Sequence, residues 1–576
     1  MYKKIHAQGA GKNKHLIHLW DDEGYQQIKW DNYSYRETHS SEGTHKGLNG
    51  ESLVKTKDWD KGTPGLHFHD ISAHQKFLIE RYGIDDEPST THREVFFDIE
   101  IEMGGALTEE YIASAPKPVT SIAWYDKQAN QWTIVILDKK GQLKHTKTDN
   151  KEIIPVGYEA DLLDTFLDRM EEIQPDILVG YNSDYFDIPY LYYRMCKVLG
   201  TDQAKRLSPI GQVDDKVTKG DYWYKAEQFV DIIGIESLDY IRLHKKYSWE
   251  DEPSWKLDSI GEKYVGINKI EYNGSLDRLF EEDIHKFIQY NFVDVEILVE
   301  LDKKLQYLAL TKNLAHKGKI RYSEVYASSK IHDGAISAFL LSEGIVPPGR
   351  PQGQKKLNYA GGYLFCPKAG LYKYMFDEDL VSLYPSIIMS LNIGQETLVG
   401  RIIDENDRNN RLGLNDLKSM DSEEELIIKN HLDKTARTSV GKLIELIETN
   451  KWAISANGCF FKTDKESVLS TILNKWFNER VLYKTKMKKC YKAKDIEGGE
   501  KNHLLQYTMK ILLNSMYGCL ALPSFRYGMP MSILSEAITL SGWKIIQSSA
   551  LIANRHMNKV IRNSKLAEEF KESLNS

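Results

Sequence analysis

Two stretches of the sequence, residues 376–388 (FDEDLVSLYPSII) and residues 510–518 (KILLNSMYG), constrain the fold most. Apolar residues in the first stretch predict a β-strand that presents Asp379 at the start of a turn. The second stretch predicts the end of a helix, which stops at Gly518 in the left-handed conformation. Helix residues at spacings of three and four share one face, and they are Tyr507, Lys510, Asn514 and Tyr517. A carboxylate opposite a cation and an aromatic ring can hold a metal-bound triphosphate and stack its base, as nucleotidyl transfer requires.

A second acidic pattern occurs at residues 94–102 (EVFFDIEIE), where apolar and acidic side chains alternate. The alternation predicts a strand with one face in the core and with Asp98, Glu100 and Glu102 on the other face. Three acids on one side of a strand must either meet solvent or share a cation. Taken alone, this pattern is more typical of a solvated face.

Two further stretches carry functional groups on predicted helices. Asp187 follows a predicted buried strand at residues 176–180 and begins a helix, so it can act simply as an N-cap. Residues 283–305 predict an amphipathic helix. On that helix Tyr290 and Asp294 are four residues apart and can form an ordinary hydrogen-bonded pair. Each pattern by itself therefore has a structural explanation.

Together and in this order, the acidic patterns resemble the DxE, Nx(2-3)FD and YxxxD motifs of the DEDDy 3′–5′ exonucleases. The matching residues are Asp98, Glu100, Asn182, Phe186, Asp187, Tyr290 and Asp294. The resemblance implies an α/β domain of the ribonuclease-H-like type, with a mixed sheet and flanking helices. It implies that the four carboxylates hold two Mg²⁺ ions, which Mn²⁺ can replace, at a phosphodiester. Tyr290 would orient or help to deprotonate the attacking water, and Asn182 and Phe186 would contact DNA.

The stretches at 376–388 and 510–518 resemble the DxxSLYPS and KxxxNSxYG motifs of family B DNA polymerases, and the surrounding sequence is most similar to those of T-even-like bacteriophages. The resemblance implies an α+β region with a partial palm, built on an antiparallel sheet, and with helical-hairpin fingers. It makes Asp379 a catalytic metal ligand, assisted by the carbonyl group of Leu380. Asp377 is then a neighbouring acid without that role.

The same resemblance assigns residues to nucleotide and DNA binding. Tyr384 corresponds to a steric gate that leaves no room for a 2′-hydroxyl group, so the favoured substrates are dNTPs. Arg480 and Lys484, one helical turn apart, resemble the RxxxK pair of the fingers that neutralises the triphosphate. Residues 359–362 resemble the YxGG motif that touches the template backbone, although a hairpin turn explains two glycines equally well. The other nucleotide-binding residues are Ser382, Leu383, Lys510 and Asn514, and the residues expected to bind DNA here are Tyr359, Gly361, Gly362, Tyr517 and Gly518.

A third palm motif of the family is not found in this sequence. In family B a YGDTDS-like hairpin with two catalytic aspartates follows KxxxNSxYG, and residues 519–576 do not contain it. We therefore expect the N-terminal subunit of a split replicative polymerase, whose polymerase centre needs a second chain that carries this motif and the thumb. Its other partners would be primer–template DNA, single-stranded 3′ ends, dNTPs and, through the second chain, a sliding clamp. The alternatives are a stand-alone exonuclease whose palm and fingers bind DNA, and a non-catalytic DNA-binding assembly fragment.

Changes in sequence pattern predict several domains. A run of Pro and Gly near residue 350 marks one boundary, and the charged residues from 402 to about 450 predict a helical surface insertion or mobile loops. The expected domains are an N-terminal domain (1–93), the exonuclease domain (94–310), a segment that links back to the N-terminal domain (311–355), a first palm part with the insertion 402–450 (356–465), the fingers (466–518) and an incomplete second palm part (519–576).

Composition excludes several other classes of protein. The formal net charge of −7 argues against a uniformly basic DNA-coating protein, but residues 480–510 contain nine basic and three acidic residues, which is compatible with a local basic channel. The five cysteines form no CxxC pair, so neither a zinc site nor a disulfide framework is indicated. Because no run of 18 apolar residues occurs, we expect no membrane segment and a location in the cytoplasm, that of the host cell if the protein is phage-encoded.

Overall fold

The computed structural model describes residues 1–562 apart from short gaps. The gaps are residues 40, 61, 216, 219–226, 229, 249, 352–358, 367, 372–378, 404–412, 431–433 and 530–531. The chain folds into two compact units. Unit 1 comprises Met1–Tyr33, Lys57–Trp59 and Ile71–Ala335, and unit 2 comprises Ser34–Thr56, Asp60–Asp70 and Ile336–Ser576. Within the described residues, no helix is both long enough and apolar enough to cross a bilayer.

The N-terminal region contributes strands to both units. Its strands are β1 (Tyr2–Gly9), β2 (Lys14–Asp21), β3 (Gly24–Asp31), β4 (Ser34–Glu37), β5 (His45–Gly47), β6 (Ser52–Thr56) and β7 (Leu66–His67). Strands β1 to β3 form an antiparallel sheet in unit 1, whereas β4 to β7 belong to unit 2. Helix α1 (Ala73–Tyr82) then returns the chain to unit 1, and it begins where the Ser72 hydroxyl accepts a hydrogen bond from the backbone N–H of Gln75.

A seven-stranded mixed sheet forms the centre of unit 1. The strands in this part of the chain are β8 (Glu94–Ile101), β9 (Val119–Asp126), β10 (Gln131–Leu137), β11 (Thr146–Lys147), β12 (Lys151–Val156), β13 (Ile177–Gly180), β14 (Val213–Asp214), β15 (Val217–Thr218), β16 (Glu227–Gln228), β17 (Asp231–Ile232) and β18 (Glu236–Asp239). Seven of them form the sheet in the order β11-β12-β10-β9-β8-β13-β18. Strand β8 is antiparallel to β9 and parallel to β13, which is in turn parallel to β18. The mixed sheet agrees with the fold class that the resemblance implies.

Helices cover both faces of this sheet. The helices in this part of the chain are α2 (Glu109–Ser114), α3 (Glu159–Ile173), α4 (Asp187–Val198), α5 (Thr201–Ala204), α6 (Tyr240–Tyr247), α7 (Leu257–Val265), α8 (Leu276–Glu282), α9 (Ile284–Leu305), α10 (Tyr307–Gly318) and α11 (Ser328–Ser342), of which the last contains the boundary between the units. Helices α3 and α9 make the most extensive contacts with the strands of the sheet. The core-facing residues of β8, such as Phe97, pack with apolar side chains of α3 and α4. Helix α9 contacts β8 through the opposite face, where Asn291 donates a hydrogen bond to Asp98. The acids of β8 therefore lie between the sheet and α9.

Unit 2 contains two five-stranded sheets and long helices. Its further elements are β19 (Ile345–Val346), α12 (Leu383–Ser390), β20 (Leu398–Ile403), α13 (Leu414–Lys418), β21 (Glu425–Asn430), β22 (Thr435–Ser439), α14 (Val440–Asn450), β23 (Ala453–Ile454), β24 (Cys459–Phe461), α15 (Val468–Lys492), α16 (Ile496–Leu520) and α17 (Ile533–Arg562). One sheet has the order β19-β5-β6-β4-β7, and the other is antiparallel with the order β22-β21-β20-β24-β23. Helices α15 and α16 pack together along their length as the expected helical hairpin.

The predicted strand at residues 376–388 is wrong where the structure describes it. Residues Leu383–Ser390 form helix α12, and residues 372–378 lie outside the described part of the chain. Short apolar runs do not distinguish a strand from a buried helix, because both bury the same residue types. Pro385 is compatible with the helix because it lies in the first turn, where backbone N–H groups have no partner within the helix.

The predicted helix stop at Gly518 is also wrong. Helix α16 continues to Leu520, and Gly518 is not among the glycines with positive φ. Buried Cys519 and Leu520 extend the apolar face of the helix past the glycine, so packing outweighs the local preference for a stop. The helix ends shortly before Pro523, which disfavours helical backbone in the residue that precedes it.

The charged region at 402–450 is not purely helical or loop-like. It contains the antiparallel pair β21 and β22 between helices α13 and α14, and residues 404–412 and 431–433 lie outside the described part. Leu426 of β21 is buried together with residues of α14, including Leu443 and Ile447. The high charge of the surrounding residues hid the short alternating pattern of β21 in the sequence.

Candidate metal centre and nucleotide site

The centre of unit 1 contains a cluster of carboxylates. Asp98 and Glu100 lie on the same face of β8 because side chains alternate along a strand. Helix α9 supplies Asp294, and one carboxylate oxygen from each of these three residues lies within 4.8 Å of the others. Asp187, the first residue of α4, accepts a hydrogen bond at Oδ1 from the backbone N–H of Ile99, at 3.3 Å. The structure thus brings together the four acids that the sequence singles out.

The electrostatics of this cluster favour the binding of a cation. Burial and the neighbouring carboxylates raise the pKa of Asp98 well above its usual range. Burial, with a further contribution from Asp294, raises the pKa of Glu100 to about 8, and burial raises the pKa of Asp187 to about 7. The pKa of Asp294 is likewise raised by burial. Acids with such pKa values must take up protons or share positive charge, because like charges repel strongly where water is excluded.

Lys269 is a member of the site that sequence reasoning missed. Its Nζ lies 2.5 Å from Asp294 Oδ2 and donates a hydrogen bond to the hydroxyl of Tyr290 at 3.2 Å. Burial alone would lower the pKa of Lys269, but Asp294 and Tyr290 hold it above its usual value. Lys269 lies in a loop between α7 and α8 as a single lysine without periodic neighbours, so no pattern in the sequence indicates it.

Asn291 is a second residue that the sequence did not reveal. Its Nδ2 donates a hydrogen bond to Asp98 Oδ2 at 2.7 Å, and its Oδ1 accepts one from the hydroxyl of Ser121 at 2.8 Å. The side chain is fully buried in the middle of α9. An asparagine inside a helix is unfavourable unless its side chain has partners, and that mismatch is the signal that could have identified it.

The predicted DNA-contacting residues of this site lie at the carboxyl end of β13. Asn182 is in the loop after the strand and has a φ of 66°, in the left-handed region. Phe186 is the N-cap residue of α4, and the centroid of its ring is 5.7 Å from that of Tyr190. Both residues therefore lie in the segment that leads from β13 to Asp187.

The predicted polymerase residues in unit 2 form a less enclosed group. Asp379 and Leu380 are exposed, and Asp377 lies outside the described residues. Ser382 is the N-cap residue of α12, and its hydroxyl accepts a hydrogen bond from Arg480 Nη1 at 3.3 Å. Leu383 is the first residue of α12. Across the described residues, the metal-ligand cluster of unit 1 has no counterpart around Asp379.

Three of the predicted polymerase residues, Tyr359, Tyr384 and Tyr517, form an aromatic cluster. The ring centroids of Tyr384 and Tyr517 are 4.5 Å apart, and the hydroxyls of Tyr517 and Tyr359 are 3.3 Å apart. The carbonyl group of Gly361 accepts a hydrogen bond from Trp543 Nε1 at 2.8 Å. A side chain at Gly362 would make only ordinary van der Waals contact, with the Tyr384 hydroxyl. The segment 359–362 is therefore held by contacts with α12, α16 and α17.

The remaining predicted nucleotide-binding residues lie on α15 and α16. Burial lowers the pKa of Arg480, and its Nε is buried with no hydrogen-bond partner in the part of the chain that the structure describes. Lys484 is exposed one turn further along α15. Lys510 lies 5.8 Å from the centroid of the Tyr507 ring on α16, and Asn514 is exposed one turn later. Arg480, Lys484 and Lys510 give this surface positive charge, which suits an anionic ligand.

Comparisons with known proteins agree with both groups of residues. A model of DNA polymerase family B matches residues 325–575, and a model of the exonuclease domain of DNA polymerase family B matches residues 75–260. The DNA-directed DNA polymerase of Escherichia phage RB69 is 28% identical over 572 residues, which cover 87% of this chain and 59% of that protein. The DNA-directed DNA polymerase of Enterobacteria phage T4 is 31% identical over 431 residues, which cover 71% of this chain and 47% of that protein.

The similarity extends to cellular enzymes. The DNA polymerase of Thermococcus litoralis is 26% identical over 351 residues, which cover 58% of this chain and 19% of that protein. The chain spans about half the length of the phage relatives that it matches. The two matched models describe one family and between them contain the predicted acids of β8 and α4 and the predicted polymerase motifs. The chain therefore belongs to DNA polymerase family B and contains the exonuclease domain of that family.

Proposed function

We propose that this chain removes nucleotides from single-stranded 3′ ends and takes part in the template-directed addition of dNTPs. The convergence of Asp98, Glu100 and Asp294 on one ion-sized space, with Asp187 beside them, supports the first activity. Lys269 pairs with Oδ2 of Asp294, whereas Oδ1 of Asp294 is buried and accepts no hydrogen bond within the described residues, so this oxygen is free to bind a cation.

The donor atoms fit divalent cations. Carboxylate oxygens are the ligands that Mg²⁺ and Mn²⁺ prefer, and the pKa values of Asp98 and Glu100 are raised although Lys269 offsets part of the negative charge. Asp98, Glu100, Asp187 and Asp294 would hold two such ions. When bound, these ions would activate water and stabilise the leaving 3′ oxygen of a phosphodiester.

Side chains around the acids would orient the reacting groups. Burial and Asp294 raise the pKa of Tyr290 above its usual range, so the phenol keeps its proton at neutral pH and can donate a hydrogen bond to a water or to Asp294. Lys269 compensates part of the charge of Asp294 and fixes the position of the Tyr290 hydroxyl. Asn291 donates a hydrogen bond to Oδ2 of Asp98 and so fixes the orientation of this carboxylate.

The polymerase role rests on residues of unit 2. Asp379, with the carbonyl group of Leu380, would contribute to a metal site, and Arg480 next to Ser382 would bind the triphosphate. Tyr384 would lie under the sugar and reject ribonucleotides. One exposed carboxylate is insufficient for a two-metal centre, so we propose that a YGDTDS-like segment and a thumb on a second chain complete it. A sliding clamp would join through that second chain.

The exonuclease proposal is tested with the 576-residue chain and a 5′-labelled single-stranded oligonucleotide in Mg²⁺. We expect progressive shortening from the 3′ end, and loss of that shortening in the double variant Asp98→Ala, Glu100→Ala. Glu102→Gln is the matched control, because Glu102 follows the same strand but pairs with Lys117 outside the cluster. Binding of the oligonucleotide without hydrolysis by the parent chain would contradict the proposal and support a non-catalytic DNA-binding fragment.

The polymerase proposal needs a separate experiment. The purified chain is mixed with a primer–template and dNTPs, alone and with a polypeptide that carries the YGDTDS-like motif and the thumb of a family B relative. We expect primer extension in the mixture, and none when Asp379 is replaced by Ala. Extension by the chain alone would show that no second chain is required.

A further inference from the structure

The carboxyl ends of two neighbouring parallel strands meet beside the carboxylate cluster of unit 1. Gly180, the last residue of β13, pairs with Asp239, the last residue of β18. Strand β13 continues through a loop into α4, which begins with Asp187, and β18 continues directly into α6. Any link between the two strand ends therefore acts on the loop that carries Asp187.

Asp239 makes such a link. Its side chain is fully buried and accepts three backbone hydrogen bonds. Oδ1 accepts from Asn182 N at 2.8 Å and from Ile241 N at 3.1 Å, and Oδ2 accepts from Asp184 N at 3.4 Å. One carboxylate thus caps α6 and also holds the loop after β13.

Asn182, whose backbone N–H donates to Asp239, also organises the rest of this loop. The carbonyl group of Asn182 accepts hydrogen bonds from Tyr185 N at 3.2 Å and from Phe186 N at 3.1 Å. Asn182 adopts its left-handed backbone in this turn, a conformation that costs energy for most residues with a side chain. The hydrogen bond to Asp239 stabilises that conformation, so the path of the chain into Asp187 depends on it.

A second contact ties the same two segments. Arg242, one turn after Asp239 on α6, forms an ion pair with Asp184 of the loop. The guanidinium group also lies over the ring of Tyr326, 4.0 Å from its centroid. Several contacts therefore hold the start of α6 against the loop that precedes Asp187.

We propose that Asp239 is a positioning residue of the exonuclease site, which sets the placement of Asp187 through the loop 182–186. This inference rests on the exonuclease function proposed above. Asp239 would touch neither substrate nor metal. A shift of the Asp187 carboxylate by about 1 Å is enough to slow hydrolysis by roughly 100-fold and to weaken the binding of a cation that it helps to hold.

The test compares Asp239→Asn with a matched variant, Asp126→Asn. Asp126 is also a buried acid at the end of a strand, where it accepts backbone hydrogen bonds from Gln128 and Ala129 and pairs with Arg93. It pairs in the sheet with Val95, at the end of β8 opposite to Glu100. The two variants thus impose similar local losses at opposite ends of the sheet along the direction of β8.

We expect Asp239→Asn to lower kcat on single-stranded DNA by about 10-fold or more and to raise the Mg²⁺ concentration for half-maximal activity by about 5-fold. Asp126→Asn should stay within about 2-fold of the parent in both quantities. Calorimetric titration with Mn²⁺ gives a readout that does not depend on catalysis, and it should show weaker binding for Asp239→Asn alone. If Asp239→Asn does not fold, Asp239→Glu keeps the charge while moving the oxygens by one methylene and gives the same comparison.

Equal behaviour of the Asp239 and Asp126 variants in kcat, Mg²⁺ requirement and Mn²⁺ affinity would overturn the inference. If the parent chain binds Mn²⁺ but hydrolyses no DNA, the proposed function fails, and the Mn²⁺ affinities still decide whether Asp239 positions Asp187. A rate deficit of Asp239→Asn that is larger at low Mg²⁺ than at saturating Mg²⁺ would support the link, because the misplaced ligand weakens the binding of the ion in addition to slowing hydrolysis.

Discussion

The acids of unit 1 and the polymerase residues of unit 2 differ in how far the chain itself organises them. Asp98, Glu100, Asp187 and Asp294 are placed by a central strand and two helices, and side chains such as Asn291 and Lys269 fix their oxygens. Asp379, in contrast, is exposed. The difference teaches that one chain can contain a site whose acids are enclosed by its own strand and helices and another site whose predicted metal ligand is exposed.

The two regions also differ in the charge of the ligand that they are suited to bind, which is positive in unit 1 and negative in unit 2. In unit 1, burial among carboxylates raises acid pKa values, which is the response of a site that needs a cation. In unit 2, burial lowers the pKa of Arg480, which is the response of a cation that needs an anion. Under the proposed function, a metal ion and a triphosphate would be the complementary partners.

The largest expected effect concerns the carboxylate cluster of unit 1 and its need for a cation. Removal of divalent cations with EDTA should reduce hydrolysis of single-stranded 3′ ends by about 1,000-fold or more, because Lys269 offsets only part of the charge of the four acids. Readdition of Mg²⁺ or Mn²⁺ should restore the rate in a gel assay of labelled DNA. Hydrolysis that continues in EDTA would show that the cluster does not work through metal ions.

A smaller effect is expected at Lys269. Lys269→Met removes the cation beside Asp294, which should lower kcat by roughly 10- to 100-fold. Loss of the positive charge raises the pKa of Asp294 further, so the rate should begin to rise at a higher pH than in the parent. Lys263→Met, which removes an ion pair with Glu252, is the control and should change neither quantity. An unshifted pH–rate profile would contradict the role of Lys269.

The third prediction concerns the anionic ligand of unit 2. Arg480→Ala should weaken dNTP binding by the chain by about 10-fold, since a partly buried guanidinium group is a strong partner for phosphate. Lys484→Ala should have a smaller effect, because Lys484 is exposed, and Lys492→Ala at the far end of α15 should have none. Fluorescence titration with dNTPs measures the affinities. The exonuclease rate should be the same in all three variants.

The smallest effect concerns stability without metal. The folded-state pKa values of Glu100 and Asp187 lie above those of the unfolded chain, so their protonated forms stabilise the fold below about pH 4. This stabilisation is lost as the pH rises through about 7 to 8. Metal-free protein should therefore melt at a lower temperature at pH 9 than at pH 6. Glu100→Gln should reduce that difference by roughly 3 °C, and Glu102→Gln should not change it.

The sequence was sufficient to identify residues whose spacing follows the period of a strand or a helix. The alternation in β8 placed Asp98 and Glu100 on one face, and the spacing of four placed Tyr290 beside Asp294 on α9. Lys269 could not be found in this way, because a loop has no period and brings its residues to a site only through tertiary structure.

The prediction failed where local signals compete with packing. Residues Leu383–Ser390 form a helix although their apolar run also fits a strand, and Gly518 lies inside α16 because Cys519 and Leu520 are buried beyond it. Asp239 escaped notice for a third reason. Two of its three acceptor contacts join segments that are more than 50 residues apart in the chain, and no pattern within either segment reveals these two contacts.

The parallel pairing of β5 with β19 has a consequence for how the protein is made. Lys46 pairs with Ile345, so the edge strand of this sheet leaves the ribosome about 300 residues after its neighbour. During synthesis, β5 lacks its parallel neighbour until the intervening exonuclease region has emerged, so the β5–β19 pair is the last part of this sheet to form. Deleting the first 70 residues would for the same reason damage the polymerase region, which lies far away along the chain, as well as the exonuclease region next to the deletion.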